Sequence, residues 1–318
     1  MGIPAPSVEK DWWVTIVLKA IFNGQFKSIL LFKGGTSLSK CFNLINRFSE
    51  DIDLVLDKNH FGIVDNPSKS QIKKLKKKAC EFTSTELLAA IKAQLIEMGV
   101  PEDLFDITAE NIEPTFPDKD PQRLTLIYKS VFDEQEIYIS KGVIIEASSL
   151  SLQDPNMKRS INSMVCQHFP NTEFYEEPFE IPTIHPKRTL LEKVFLLHEE
   201  FKKQNDKIRS ARMSRHLYDL NKLMNTDFLN EALNSPDLYL QIIQHRSLYH
   251  SLIGIDYQTH YPATIDFLPP EGEIRKKYKN DYEEMSQEMI YGDDKLGFDE
   301  IMTSMENLLK QIRTINLN

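Results

Sequence analysis

Residues 30–55, LLFKGGTSLSKCFNLINRFSEDIDLV, constrain the fold of this chain more than any other stretch. SILLFKGG is a short apolar run ended by two glycines, the pattern of a buried strand entering a turn. TSLSKCFNLINRF begins with Thr and Ser suited to an N-cap. It sets Leu38, Cys41, Phe42 and Ile45 on one face, so the spacing predicts a helix of about three turns. DIDLVLD alternates before it turns apolar, as a half-buried strand does. Strand, glycine turn, helix and strand therefore follow one another without a break.

The rest of the chain is read around that unit. VEKDWWVTIVLKAIF carries Trp12, Val14, Ile16, Val17, Ala20 and Ile21 at helical spacing, which predicts an amphipathic helix ahead of the first strand. Residues 68–98 read as helical and close at Gly99-Val-Pro101. RLTLIYKS and YISKGVIIEASSL read as strands. From IPTIHPKRTLLEKVFLLHEEF onward the pattern is largely helical. Pro182 and Pro186 make IPTIHP the seam between a mixed half and a helical half. The chain is expected to be α+β, with an α/β domain at 1–180 and a helical domain at 181–318.

Composition removes several function classes. With 41% hydrophobic residues the chain can bury a core and is not a disordered polymer. Cys41, Cys80 and Cys166 are odd in number and widely spaced, so they read as reduced thiols of a cytoplasmic protein. No Cys-x-x-Cys pattern points to zinc, and His198 in LLHEEF stands alone. The start MGIPAPSVEKDWWV lacks the basic and apolar regions of a secretory leader, and Pro6 stands where myristoylation needs Ser or Thr. No apolar run approaches the ~18 residues that span a bilayer, so no membrane partner is expected.

A net charge of −9 argues against a general nucleic-acid coat. The charge is uneven, however. Residues 201–225 hold seven Lys/Arg against two Asp, whereas 261–300 hold eleven Asp/Glu against five Lys/Arg. The first segment is either a solvated helix face or a local landing strip for phosphate. The same two readings apply to the lysines between 73 and 78.

The glycine turn and the paired aspartates suggest one site. A helix N-terminus favours an anion, through its unpaired N–H groups and the positive end of its dipole. Gly34 and Gly35 let backbone approach a phosphate, and Thr36, Ser37 and Ser39 add hydroxyls. No Gly-Lys-Ser/Thr closes the turn, so it is not a Walker A loop. Asp51 and Asp53 are two apart on a strand and share a face. Carboxylates held side by side repel unless a cation lies between them, and Mg²⁺ combines carboxylate oxygens with substrate phosphates.

FKGGTSLSK followed by RFSEDIDLVL resembles the nucleotide-binding signature of the polymerase-β-type nucleotidyltransferases, and more narrowly the AbiEii toxin branch that includes the MenT-type toxins. VEKDWWVTIVLKAIF, GVIIEASSL, HPKRTLLEKVFLLHE, SRHLYDLNKL and YPATIDFLPP resemble the same branch, in order along nearly the whole chain. The resemblance implies a mixed-sheet nucleotidyltransferase domain followed by a mainly helical domain, with the site in the cleft between them.

It also implies roles for individual residues. Lys33, Gly34, Gly35, Thr36, Ser37 and Ser49 would serve the triphosphate of an NTP, and Asp51 and Asp53 would bind two Mg²⁺ ions. Glu146 would be a third metal or base carboxylate; its other reading is a strand carboxylate facing water. Lys193 would contact phosphate with help from Arg188, although Arg188 and Glu192, four apart on a helix, also suit an ordinary ion pair. Asp219 matches the helical aspartate of the last motif, with Arg215 one turn before it. The family pattern has an acidic residue where His216 stands here.

The implied reaction moves an NMP from the NTP to an acceptor hydroxyl. The implied acceptor is RNA, at the 3′ end of tRNA, and the implied partner is a cognate antitoxin. Two other classes stay open on sequence alone. One is an idle relative that binds nucleotide or a partner protein. The other is an Asp-x-Asp glycosyltransferase, in which the pair would follow a longer nucleotide-sugar fold.

Overall fold

The computed structural model describes residues 3–63, 66–113, 115–132, 142–291 and 295–317. The expected strand over YISK, at 138–141, and the Met-Gly start lie outside them. The chain divides into two compact units, one of residues 1–43 and 48–184, the other of 44–47 and 185–318.

The first unit is built on a mixed seven-stranded sheet. Its strands are β1 (Leu30–Lys33), β2 (Ile52–Leu56), β3 (Phe105–Ala109), β4 (Gln122–Tyr128), β5 (Val143–Ser148), β6 (Asn156–Ile161) and β7 (Phe179–Ile184), in the order β3-β4-β5-β2-β1-β7-β6. β2–β5 and β1–β7 are parallel and the other pairs antiparallel. The helices are α1 (Ala5–Asn23), α2 (Gly34–Lys40), α3 (Lys69–Phe82), α4 (Leu88–Glu97) and α5 (Met164–His168).

Four local readings are revised. α1 is buried around most of its circumference instead of along one stripe, and even Lys10 and Asp11 are inside. Lys10 pairs with Glu50, and Asp11 with Lys40 at 2.6 Å, so two buried charges on α1 are matched by the segment before β2 and by the last residue of the glycine helix. The helix after the glycines ends at Lys40, because Asn43 turns left-handed (φ +51) and releases the chain. The helix over 68–98 is interrupted by a π turn at Thr83–Leu87, where Thr83, Ser84 and Thr85 hydroxyls bond back to the carbonyls of residues 79–81. Residues 181–184 of IPTIHP complete β7, and helix begins at Pro186 with His185 as its cap.

The second unit is helical: α6 (Pro186–Phe201), α7 (Arg215–Met224), α8 (Asp227–Leu233), α9 (Pro236–His245), α10 (Glu273–Glu288) and α11 (Phe298–Ile312). The short segment 44–47 belongs to it. Arg47 bridges to Ile290, and the Asn46 N–H donates to the Tyr218 hydroxyl. No helix of the described residues is long and apolar enough to cross a membrane.

A polar network fills its interior. Glu199 accepts from Arg246 and pairs with His260, and these contacts outweigh burial to hold its carboxyl down at about 2. His198 is fully buried, with Nε2 2.9 Å from the Thr259 hydroxyl and Nδ1 against the Asp266 backbone. Burial pushes its pKa from 6.5 down to about 4. As pH falls through 6.5 the unfolded chain takes up a proton that folded His198 refuses until about 4, so stability drops across that window. His198 alone should remove about 2 kcal/mol between about pH 7 and pH 5. Urea unfolding at the two pH values checks this, since His198→Gln should flatten the dependence by that amount. An unchanged slope in the variant would show that other groups set it.

Candidate functional site

Four residues stand in one row across four neighbouring strands of the first unit. Lys33 of β1 is registered with Asp53 of β2, Asp53 with Glu146 of β5, and Glu146 with Arg123 of β4. Directly paired residues project from the same side of a sheet, so the row presents charges in the order plus, minus, minus, plus. Asp51 joins the same side, because only buried Ile52 separates it from Asp53.

The glycine helix is locked onto this row. Lys33 is extended and Gly34 follows with φ +85, a left-handed value that favours glycine. A Cβ on Gly34 would lie 1.9 Å from Asp53 Oδ2 and 2.8 Å from its Cγ. The bare Cα of Gly34 is therefore what gives the Asp53 carboxylate its place. Thr36 and Ser37 are buried, and their hydroxyls face inward. Thr36 donates to the Asp51 carbonyl at 2.5 Å and lies 2.9 Å from the Ser49 hydroxyl, while Ser37 donates back to the Gly34 carbonyl at 2.9 Å. Ser39 likewise donates to the Thr36 carbonyl. These hydroxyls brace the turn against the aspartate strand. Gly34→Ala should displace the Asp53 carboxylate, and if that carboxylate takes part in a reaction, a misplacement of this kind costs about 10²-fold in turnover. The accompanying stability loss should be about 1–2 kcal/mol. Parallel turnover and urea measurements check both, and near-normal turnover would remove the role given to this contact.

Further residues brace the row. Lys33 Nζ donates to Ser151 at 2.6 Å. Asp120 accepts from the Ser148 hydroxyl and from both the N–H and hydroxyl of Ser149, just beyond Glu146, and burial pushes its carboxyl up in spite of those bonds. Arg123 contacts Glu146 Oε1 through Nε and Nη2, each at 2.6 Å. Partial burial opposes the Arg123 charge, but Glu146, then Glu110 and Asp51, more than offset it and raise its pKa. RLTLIYKS is legible as a strand, but nothing local in the sequence marks Arg123 as part of this row or Asp120 as a brace of it. Among the lysines of 73–78, Lys76 pairs with Asp118 at 3.3 Å and Lys78 donates to the Phe61 carbonyl.

The second unit gathers a different set. Asp219 on α7 is fully buried and forked by Arg47, Nε to Oδ1 at 2.7 Å and Nη2 to Oδ2 at 2.8 Å. Lys193 on α6 reaches Asp219 Oδ2 at 2.8 Å and His216 Nδ1 at 3.3 Å. Burial alone would raise the Asp219 pKa, but Arg47 and Lys193 hold it well below the usual carboxylate range. Burial lowers Lys193, opposed by Asp219 and aided by Arg47. His216 is pushed well below 6.5 by burial and then by Lys193 and Arg215. Burial therefore favours the neutral ring, whose Nδ1 lies against the lysine. Arg47, Lys193 and Asp219 leave one positive charge in surplus. Asp219 acts here as the buried counter-ion of two cations. Arg188 is also buried and donates to Glu192 Oε1 through Nε at 2.9 Å and Nη2 at 2.8 Å. Only the resemblance, not spacing or composition, pointed toward Asp219, and nothing in the sequence flagged Arg47.

Among the described residues no three Asp, Glu, His or Cys side chains gather closely enough to cage a metal ion. Asp51 and Asp53 supply a pair of hard oxygen donors. That set fits Mg²⁺, which takes one or two carboxylates and completes its shell with phosphate oxygens and water.

The model of the family described as nucleotidyl transferase AbiEii toxin, type IV TA system, matches residues 16–304. Among solved structures, the chain is similar to JHP933 from Helicobacter pylori at 14% identity and a TM-score of 0.47, covering 98% of this chain and 93% of that one. It is similar to a candidate nucleotidyltransferase from H. pylori at 14% identity and a TM-score of 0.46, covering 98% and 96%. No curated protein matches the chain.

Proposed function

Because the chain belongs to the AbiEii family of nucleotidyl transferase toxins of type IV toxin–antitoxin systems, and so is a nucleotidyltransferase, we propose that it transfers an NMP from an NTP to a hydroxyl of RNA, at the 3′ end of tRNA, in the cytoplasm. A cognate antitoxin is the partner that would restrain it. The observation that carries the reading is the interlock of Gly34 with Asp53 in the row running from Lys33 to Arg123.

In this reaction an acceptor oxygen forms a bond to the α-phosphorus, the bond to the β-phosphate oxygen breaks, and the hydroxyl proton is lost to a base. The backbone of Gly34 and Gly35 can approach phosphate closely, and Lys33 stands beside it with a positive charge. Thr36, Ser37 and Ser49 hold that turn against the aspartate strand. Asp51 and Asp53 would hold two Mg²⁺ ions, with Glu146 beside Asp53 as the third carboxylate. Bound Mg²⁺ supplies charge to the phosphates and favours ionisation of the acceptor hydroxyl. In the second unit, Lys193 and Arg215 are assigned to phosphate, Lys193 held by Asp219, which is itself fixed by Arg47. His216, held neutral, takes no acidic role. The basic segment 202–215 suits the RNA backbone.

The test offers each of the four α-³²P-labelled ribonucleoside triphosphates, with Mg²⁺ and total cellular RNA, to the purified protein. Label should enter a tRNA-sized band and be lost with EDTA. Absence of label from RNA with every nucleotide would overturn the RNA acceptor.

A further inference from the structure

What sets the Arg123–Glu146 pair apart is its place in the sheet, in the row that holds Asp53. The two are directly registered on β4 and β5, and Glu146 is registered in turn with Asp53. Both guanidinium contacts fall on one carboxylate oxygen, Oε1, so the fork engages Glu146 on one side only. The arginine side chain is 52% exposed and the glutamate 22%, so the arginine can leave for solvent while Glu146 stays in the sheet. Three carboxylates, Asp51, Asp53 and Glu146, share this side of the sheet, and their repulsion grows as they approach. Arg123 at one end of the row and Lys33 at the other are its flanking cations.

We propose that Arg123 is a positioning residue that acts through Glu146, as a built-in counter-ion holding the third carboxylate in place and yielding it when a divalent cation is taken up. The inference rests on the assignment of Asp51 and Asp53 to the metal. A half-exposed arginine–carboxylate pair is weak enough to be exchanged. A guanidinium beside a divalent cation also repels it. Arg123 therefore sets how tightly the site takes metal, and it keeps the carboxylates from repelling one another until then.

The probe is Mn²⁺ alone, titrated into the protein without nucleotide and followed by the electron paramagnetic resonance signal of the free ion. Arg123→Gln should tighten Mn²⁺ binding about 3- to 10-fold, because it removes the competing charge. Arg123→Lys, which keeps the charge, should stay near wild type. In a Glu146→Gln background the Arg123→Gln effect should vanish, since the arginine acts through that carboxylate. A thermal melt matched to wild type would exclude mere misfolding, and a purely structural role for Arg123 would not tighten metal binding.

Unchanged or weaker Mn²⁺ binding in Arg123→Gln overturns the inference, and so does an effect that persists without Glu146. Asp53→Asn separates the two levels. If it removes Mn²⁺ binding and Arg123→Gln has no effect, only the counter-ion role fails. If Asp53→Asn leaves Mn²⁺ binding intact, the metal assignment and the inference built on it fail together.

Discussion

Asp53→Asn should lower nucleotidyl transfer by at least about 10³-fold while the protein keeps its fold. Asparagine has the shape of aspartate, so it can occupy the same space against the bare Cα of Gly34. Its amide carries no charge, and an Mg²⁺ ion bound through Asp51 and Asp53 would lose one of its two anionic donors. Charge stabilisation by such a metal is worth several kcal/mol, and about 4 kcal/mol is a thousandfold in rate. The fold should respond far less. Asp53 is half-buried on a strand whose partners Lys33 and Glu146 stay in register through backbone bonds. Turnover of an α-labelled NTP and a thermal melt, measured on the same preparation, check both halves. Activity within tenfold of wild type would place the chemistry elsewhere. A collapse of stability would mean that Asp53 is primarily structural.

How much of this site is legible in the chain depends on the sequence distance between its parts. The glycine turn and the aspartate pair lie within one stretch, so turn chemistry and strand alternation, both local signals, are enough to find them. The end of the helix between them is another matter. Leu38, Cys41, Phe42 and Ile45 keep helical spacing past Lys40, yet Asn43 turns left-handed and the next four residues join the second unit. A pattern of apolar residues cannot show that Arg47 is wanted by Asp219, 172 positions away.

Arg123 and Glu146 illustrate a second limit. Both strands were readable, but their pairing was not, because register is fixed by neighbours outside either segment. Lys10 and Glu50 show a third. Charged residues look like surface in a sequence, and only the completed pair reveals why both are buried. The strand β6, Asn156–Ile161, gives no apolar alternation to read, because its residues are largely polar, as suits the edge of a sheet.

Asp219→Ala should destabilise the protein by about 3–5 kcal/mol, the range found when one member of a buried ion pair is removed. Asp219 is 0% exposed, and its carboxylate answers both Arg47, 4% exposed, and Lys193, 7% exposed. Without it, two cations face each other away from water, and Lys193, already lowered by burial, would lose the group that opposes that shift. Asp219→Asn should cost less than Asp219→Ala, because the amide oxygen still accepts from one cation, but the charge imbalance remains. The informative variant is the double change Arg47→Met with Asp219→Leu. Replacing a buried pair with apolar side chains of similar volume is often near neutral. The double variant should therefore recover most of the stability lost in Asp219→Ala, with Lys193 the one buried charge left to neutralise by losing its proton. Urea unfolding of the single and double variants measures the coupling directly. A loss below about 1 kcal/mol in Asp219→Ala would mean that water reaches the cluster and screens it as it does a surface pair. Full loss in the double variant would mean that Arg47 packs against more than the carboxylate that holds it.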